Sequence, residues 1–192
     1  MEWVNKALTM RMLVVIASLS VIPSHAFSLE GTIWERVSKE SRCKPDPLLL
    51  YSIALQESRA SAGEGLVAPH PLALRNSPRG SYFPKSVGEA EAAVPRFIKE
   101  DKLTDIGIMQ INYHWNGYRV ENPKDLLNPE FNIKVGAEIL CEAISANRTD
   151  IQLAIGGYHT RNPKREVDAR KYAMGVMRIW RNLMVLSKGG RE

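Results

Sequence analysis

The sequence predicts a mainly helical α+β domain with one small β element, and three observations carry that expectation. Three stretches place apolar residues three and four apart behind Asp-Pro, Asn-Pro or Asp caps. A Gly- and Pro-rich segment between the first two holds a short hairpin pattern. Residues 27–192 suffice for one domain with a single core.

The first 26 residues stand apart. Lys6 and Arg11 precede an apolar run from Met12 to Ile22, and Ser24-His25-Ala26 follows as a cleavage-type tripeptide. This is the pattern of a secretory signal peptide, residues 1–26. The run is shorter than the roughly 20 residues a spanning helix needs. An uncleaved signal anchor is the alternative; with cleavage no membrane anchor is expected. The mature chain would be periplasmic or otherwise exported.

The net charge is +5, and +4 once residues 1–26 take Lys6, Arg11 and Glu2 with them. A basic balance suits an anionic polymer. An exported protein meets cell wall or phospholipid, so no nucleic acid partner is expected; a merely solvated surface charge explains the balance equally well. Cys43 and Cys141 both fall in the exported part, where an oxidising compartment permits a disulfide between them. His70, His114 and His159 share no ligand spacing with the cysteines, so no metal site is expected.

Asp46-Pro47 opens the first strong helix, with Asp as N-cap and Pro at its first position. Leu50, Ile53 and Ala54 form its apolar stripe, and Glu57 follows on the same face. The helix is expected to end between Ser61 and Gly63, which puts Glu57 near the negative end of the helix dipole. Burial and dipole both disfavour ionisation, and a carboxyl group protonated near neutral pH is what a general acid requires. Leu72–Arg75 and Ser81–Phe83 flank Asn76-Ser77-Pro78-Arg79-Gly80 as a small hairpin. Ser86 with Glu89 resembles a capping box opening a helix through Ala93, which Pro95 is expected to kink or end.

Asp105 to Asn116 reads as a polar and aromatic loop. Asn128-Pro129 starts another helix, with Asn132, Gly136, Ile139, Leu140 and Ala143 on one face; Asp150 caps a shorter one. The last, from about Asp168, aligns Tyr172, Val176, Ile179 and Leu183. On its stripe alone Tyr172 is a packing residue. Of the tryptophans, Trp115 is the best placed to stack on a ligand, Trp180 the best placed to pack a helix, and Trp34 remains open.

The order of motifs then becomes informative: Glu57-Ser58 at a helix end, Gly107-Ile108-Met109-Gln110-Ile111-Asn112, Asn128-Pro129 with Asn132 and Gly136, Gly157-Tyr158-His159, and Tyr172. From Pro47 to about Leu183 this resembles the soluble lytic transglycosylase (SLT) domain of the lysozyme-like superfamily. The Asp105-to-Asn112 motif and the long insert at residues 63–83 look like the transglycosylases that accompany conjugation and other secretion machines.

That resemblance implies a lysozyme-like fold with a small β-hairpin insert, peptidoglycan glycan strands as partner, and no cofactor. Secretion or conjugation subunits would be further partners. Glu57 would be the sole catalytic acid/base and Ser58 would orient or support it. Gly107, Met109, Gln110 and Asn112 would line the sugar groove, Tyr158 and His159 would sit beside the scissile bond, and Tyr172 would hydrogen-bond toward the catalytic carboxyl group. The family usually has Asn where this chain has His159, a change that alters the sugar contacts and adds pH sensitivity. Two other activities fit the same residues: hydrolysis of the goose-type lysozyme kind, with Asp105 positioning water, and an assembly role that binds peptidoglycan without cutting it.

Overall fold

A computed structural model describes residues 27–189; the expected signal peptide lies outside the described residues. The architecture is α+β and mainly helical. Helix α1 (Ile33–Glu40) precedes α2 (Pro47–Ser58), where Asp46 Oδ1 accepts the Leu48 N–H at 2.8 Å as the Asp-Pro pair predicts. Helix α2 is buried on nearly every side, through Leu49, Leu50, Ser52, Ile53, Ala54, Leu55 and Ser58. It therefore forms the axis of the domain instead of a one-sided surface helix.

Its end differs from the sequence expectation. The helix stops at Ser58, and Arg59–Ser61 forms strand β1, paired antiparallel with β2 (Val67–Pro69). The pairing partner is close in sequence and captures the chain before a glycine is reached. Glu57 consequently sits in the final turn of α2.

The expected hairpin is present as β3 (Leu74–Asn76) and β4 (Gly80–Tyr82), closed by the Arg79 N–H donating to Asn76 Oδ1 at 2.9 Å. It is not an isolated element. The stretch read as a loop contains β5 (Asp105–Ile106) and β6 (Ile111–Asn112), giving a four-stranded sheet in the order β4-β3-β5-β6. Strands β5 and β6 are each two residues long, too short for a period to show in the sequence.

The sheet register sorts its faces. Leu74 lies opposite Ile106 and Ile106 opposite Ile111, and these three are buried in the core. Arg75 lies opposite Asp105 and Asp105 opposite Asn112, so the other face carries a polar row.

Helix α3 (Val87–Glu100) runs through Pro95 without ending. Pro95 forfeits one helical donor, and buried Val94 and Phe97 hold the turns on either side of it against the core. Its capping box is also half displaced: Ser86 Oγ accepts the Glu89 N–H at 3.2 Å, but the Glu89 carboxylate accepts from Lys85 N at 2.9 Å, one residue early. A one-turn helix α4 (Tyr113–Asn116) follows β6. Then come α5 (Pro129–Ala146), α6 (Ile151–His159) and α7 (Glu166–Lys188), the last beginning two residues before the expected start.

Helix α2 packs on α7, and α6 packs on both α5 and α7. Gly156 permits the closest of these contacts, since a Cβ there would stand 2.4 Å from the Ala169 carbonyl oxygen. Cys43 and Cys141 are joined as a disulfide, with Cα atoms 5.4 Å apart, tying the chain after α1 to α5. Among the described residues no helix is long and apolar enough to cross a membrane.

Candidate active site

Helix α2 ends at the wall of a cleft of about 690 Å³. One side of the cleft is the polar row Arg75, Asp105 and Asn112; the other is the end of α6 and its following loop, with Tyr158, His159 and Thr160. Glu57 reaches the cleft between them, half-buried. Tyr172 on α7 donates its hydroxyl to Glu57 Oε1 at 2.6 Å.

Burial is the largest influence on Glu57 and raises its pKa from 4.5 to about 7. The Tyr172 hydrogen bond opposes the rise, Asp105 adds to it and Arg75 opposes it. Burial also pushes both tyrosine hydroxyls, Tyr158 and Tyr172, well above their ordinary range, so each remains a donor.

The Gly107–Gln110 turn is held by side chains from three helices. Ser58 Oγ donates to the Ile108 carbonyl at 2.7 Å, Tyr158 Oη to the Met109 carbonyl at 2.7 Å, and the Met109 N–H to Asn132 Oδ1 at 2.8 Å. Asn132 Nδ2 also donates to the carbonyls of Ile106 and Leu126. Gln110 adopts φ +48°, a left-handed conformation uncommon for a residue with a Cβ, and its Nε2 donates to the carbonyls of Ala73 and Gly107, both at 2.9 Å. The turn is a rigid ledge under one side of Glu57's cleft.

This arrangement separates the motif residues into two groups. Gln110, Asn112, Tyr158 and His159 line the cleft with Glu57. Ser58, Gly107 and Met109 do not reach it. Ser58 is 2 % exposed and bonded to backbone; Met109 is fully buried against Gly136. Gly107 has φ +81°, and a Cβ there would lie 2.3 Å from Asn132 Nδ2, so its smallness serves the packing of the turn against α5 and not the approach of a ligand. The expectation that Gly107 and Met109 line the groove is corrected accordingly: together with Ser58 they build the ledge from beneath.

Asn112 donates its amide to Asp105 Oδ1 at 2.8 Å. Burial raises the Asp105 pKa, and this bond and Arg75 oppose it. His159 is stacked on Tyr172, ring centroids 5.0 Å apart and 10° from parallel. Burial lowers its pKa, with Arg165 acting the same way and Asp168 opposing. Trp115 lines the cleft and is 67 % exposed, whereas Trp34 is buried and Trp180 donates to Asp46 Oδ2 at 3.0 Å.

Sequence reasoning missed Arg75, Arg119, Arg161 and Arg165, all of which line the cleft. Arg75 alternates with buried Leu74 and Asn76 in β3, a signal three residues long. The others depend on loops whose course no local pattern sets.

Residues 81–174 match the family described as "Transglycosylase SLT domain". The matched segment contains the Gly107–Gln110 turn, Tyr158 and Tyr172; Glu57 precedes it and is joined to it through the Tyr172 hydroxyl. Neither the comparison with curated proteins nor that with solved structures returned a match.

Proposed function

Because the chain carries a transglycosylase SLT domain of the lysozyme-like superfamily, whose substrate is peptidoglycan, we propose that it is a lytic transglycosylase with Glu57 as its acid/base. The observation that carries this reading is the half-buried Glu57 carboxyl group, poised at about pKa 7 at the cleft and bonded to Tyr172. A pKa near the working pH makes both protonation states accessible, as a group that first gives and then takes a proton requires.

Tyr172 occupies Oε1, which leaves Oε2 to carry the transferable proton. Glu57 donates that proton to the glycosidic oxygen between N-acetylmuramic acid and N-acetylglucosamine, and the C1–O bond breaks. The muramoyl N-acetyl group supports the positive charge developing at C1. Glu57, now a carboxylate, takes the proton from the 6-hydroxyl of the same sugar, whose oxygen bonds to C1 and closes a 1,6-anhydro ring. Glu57 ends protonated, as it began, and water is not consumed. The signal-like segment supports export to the periplasm. The β3–β4 insert supports local opening of the wall for a secretion or conjugation machine.

Asp105 in the same cleft supports a second reading. A two-carboxylate site uses its second group as nucleophile or as base for water, and the product would then be a reducing end.

Mass spectrometry of fragments released from purified peptidoglycan, with Glu57→Gln beside the parent, tests both. Anhydromuropeptides lost in the variant are expected. Reducing ends would move the reaction to hydrolysis, and release undiminished in the variant would remove Glu57 from the chemistry.

A further inference from the structure

Four arginines line the cleft, and three of them already hold carboxylates. Arg119 pairs with Glu142 at 2.7 Å and Glu138 at 3.5 Å, Arg161 pairs with Glu142 at 2.8 Å, and Arg165 pairs with Asp168 at 2.9 Å. Arg75 is different. Among the described residues it has no carboxylate within 4 Å and donates no side-chain hydrogen bond, although Asp105 is its direct neighbour across the sheet. Asp105 is engaged by Asn112 instead.

The geometry of β3 accounts for its place. Leu74 and Asn76 turn into the core, so Arg75 must project from the opposite face, beside Asp105 and in the same cleft as Glu57. Its charge reaches Glu57, Asp105 and His159 without an ion pair or hydrogen bond to any of them. A guanidinium offers five donors in a planar fork that matches a carboxylate. Left unpaired in a cleft, it is a ready anion site.

The sugars of a glycan strand are neutral; the negative charge of peptidoglycan resides in the substituent on the muramoyl 3-oxygen. We infer that Arg75 is a specificity-determining residue that binds a carboxylate of that substituent, so the cleft distinguishes muramoyl-containing strands from neutral N-acetylglucosamine polymers. The inference rests on the transglycosylase reading for its substrate. The carboxylate has two sources, the stem peptide or the lactyl group that peptide removal exposes, and the same fork accepts either.

Binding is measured in a Glu57→Gln background, so that it does not depend on turnover. Three probes are used: peptide-bearing muropeptide strands, amidase-stripped strands, and neutral chitooligosaccharides. Adding Arg75→Gln is expected to weaken binding of a carboxylate-bearing probe about tenfold, or ~1.4 kcal/mol, and to leave chitooligosaccharide binding unchanged. Arg75→Lys should recover part of the loss, since it keeps the charge without the fork.

A loss confined to peptide-bearing strands assigns the stem peptide, and one confined to stripped strands assigns the lactyl group. An equal loss on the neutral probe, or no loss on either charged one, overturns the inference. In wild-type background, a cleavage assay reads the function separately: strands bound with the Arg75 preference but not cut would refute the transglycosylase reading and leave the anion site standing.

Discussion

Replacing Glu57 by glutamine should stabilise the protein, and only above acid pH. In the folded state the carboxyl group titrates at about 7, against an ordinary value of 4.5. Below about pH 4.5 the group is protonated in both folded and unfolded chains, and it contributes no pH-dependent difference. As pH rises toward 7 the unfolded chain releases its proton while the folded one retains it, so stability falls over that window and then levels off. At ~1.36 kcal/mol per pH unit the full rise corresponds to about 3 kcal/mol. Glu57 is half-buried and opens onto the cleft, so solvent screening reduces the expected cost to about 2 kcal/mol. Glutamine keeps an acceptor for Tyr172 and has no charge to desolvate. Urea unfolding of both proteins between pH 4.5 and 8 reads the effect: the stability difference should grow with pH by about 2 kcal/mol, a shift in melting temperature of roughly 4–8 °C. Parallel stability curves across this range would refute the buried-acid assignment.

The Tyr172 hydroxyl lowers the Glu57 pKa, so Tyr172→Phe should move the alkaline limb of the pH–activity profile upward by about one pH unit; a limb that stays in place would show that Tyr172 does not tune Glu57. Gly107→Ala combines a positive φ with a Cβ 2.3 Å from Asn132 Nδ2 and 2.4 Å from the Leu126 carbonyl oxygen, and should cost about 3 kcal/mol in chemical denaturation. The Cys43–Cys141 disulfide closes a separation of 98 residues. Replacing both cysteines by alanine should cost about 2–4 kcal/mol in oxidising buffer, with thermal melting as the readout, and the difference should largely disappear in reducing buffer, where the parent's disulfide is opened too.

What the sequence by itself determined is local. Asp46-Pro47, Asn128-Pro129 and Asp150 start helices because the cap and the donor it satisfies lie within three residues of each other. The stripe of α2 marks Glu57 as facing the core for the same reason, and the hairpin at Asn76–Gly80 closes on contacts three residues apart. Tertiary structure alone decided the rest. Ending α2 at Ser58 depends on β2, and extending the sheet through β5 and β6 depends on β3, partners that strands of two or three residues are too short to announce by periodicity. The bond that tunes Glu57 spans 115 residues. The division of the Gly107–Gln110 motif into cleft-facing Gln110 and buried Met109 follows from Ser58, Asn132 and Tyr158 converging on one turn from three helices. Chemical type was therefore legible one residue at a time, whereas the burial that sets a pKa and the register that leaves Arg75 unpaired exist only once distant segments are packed together.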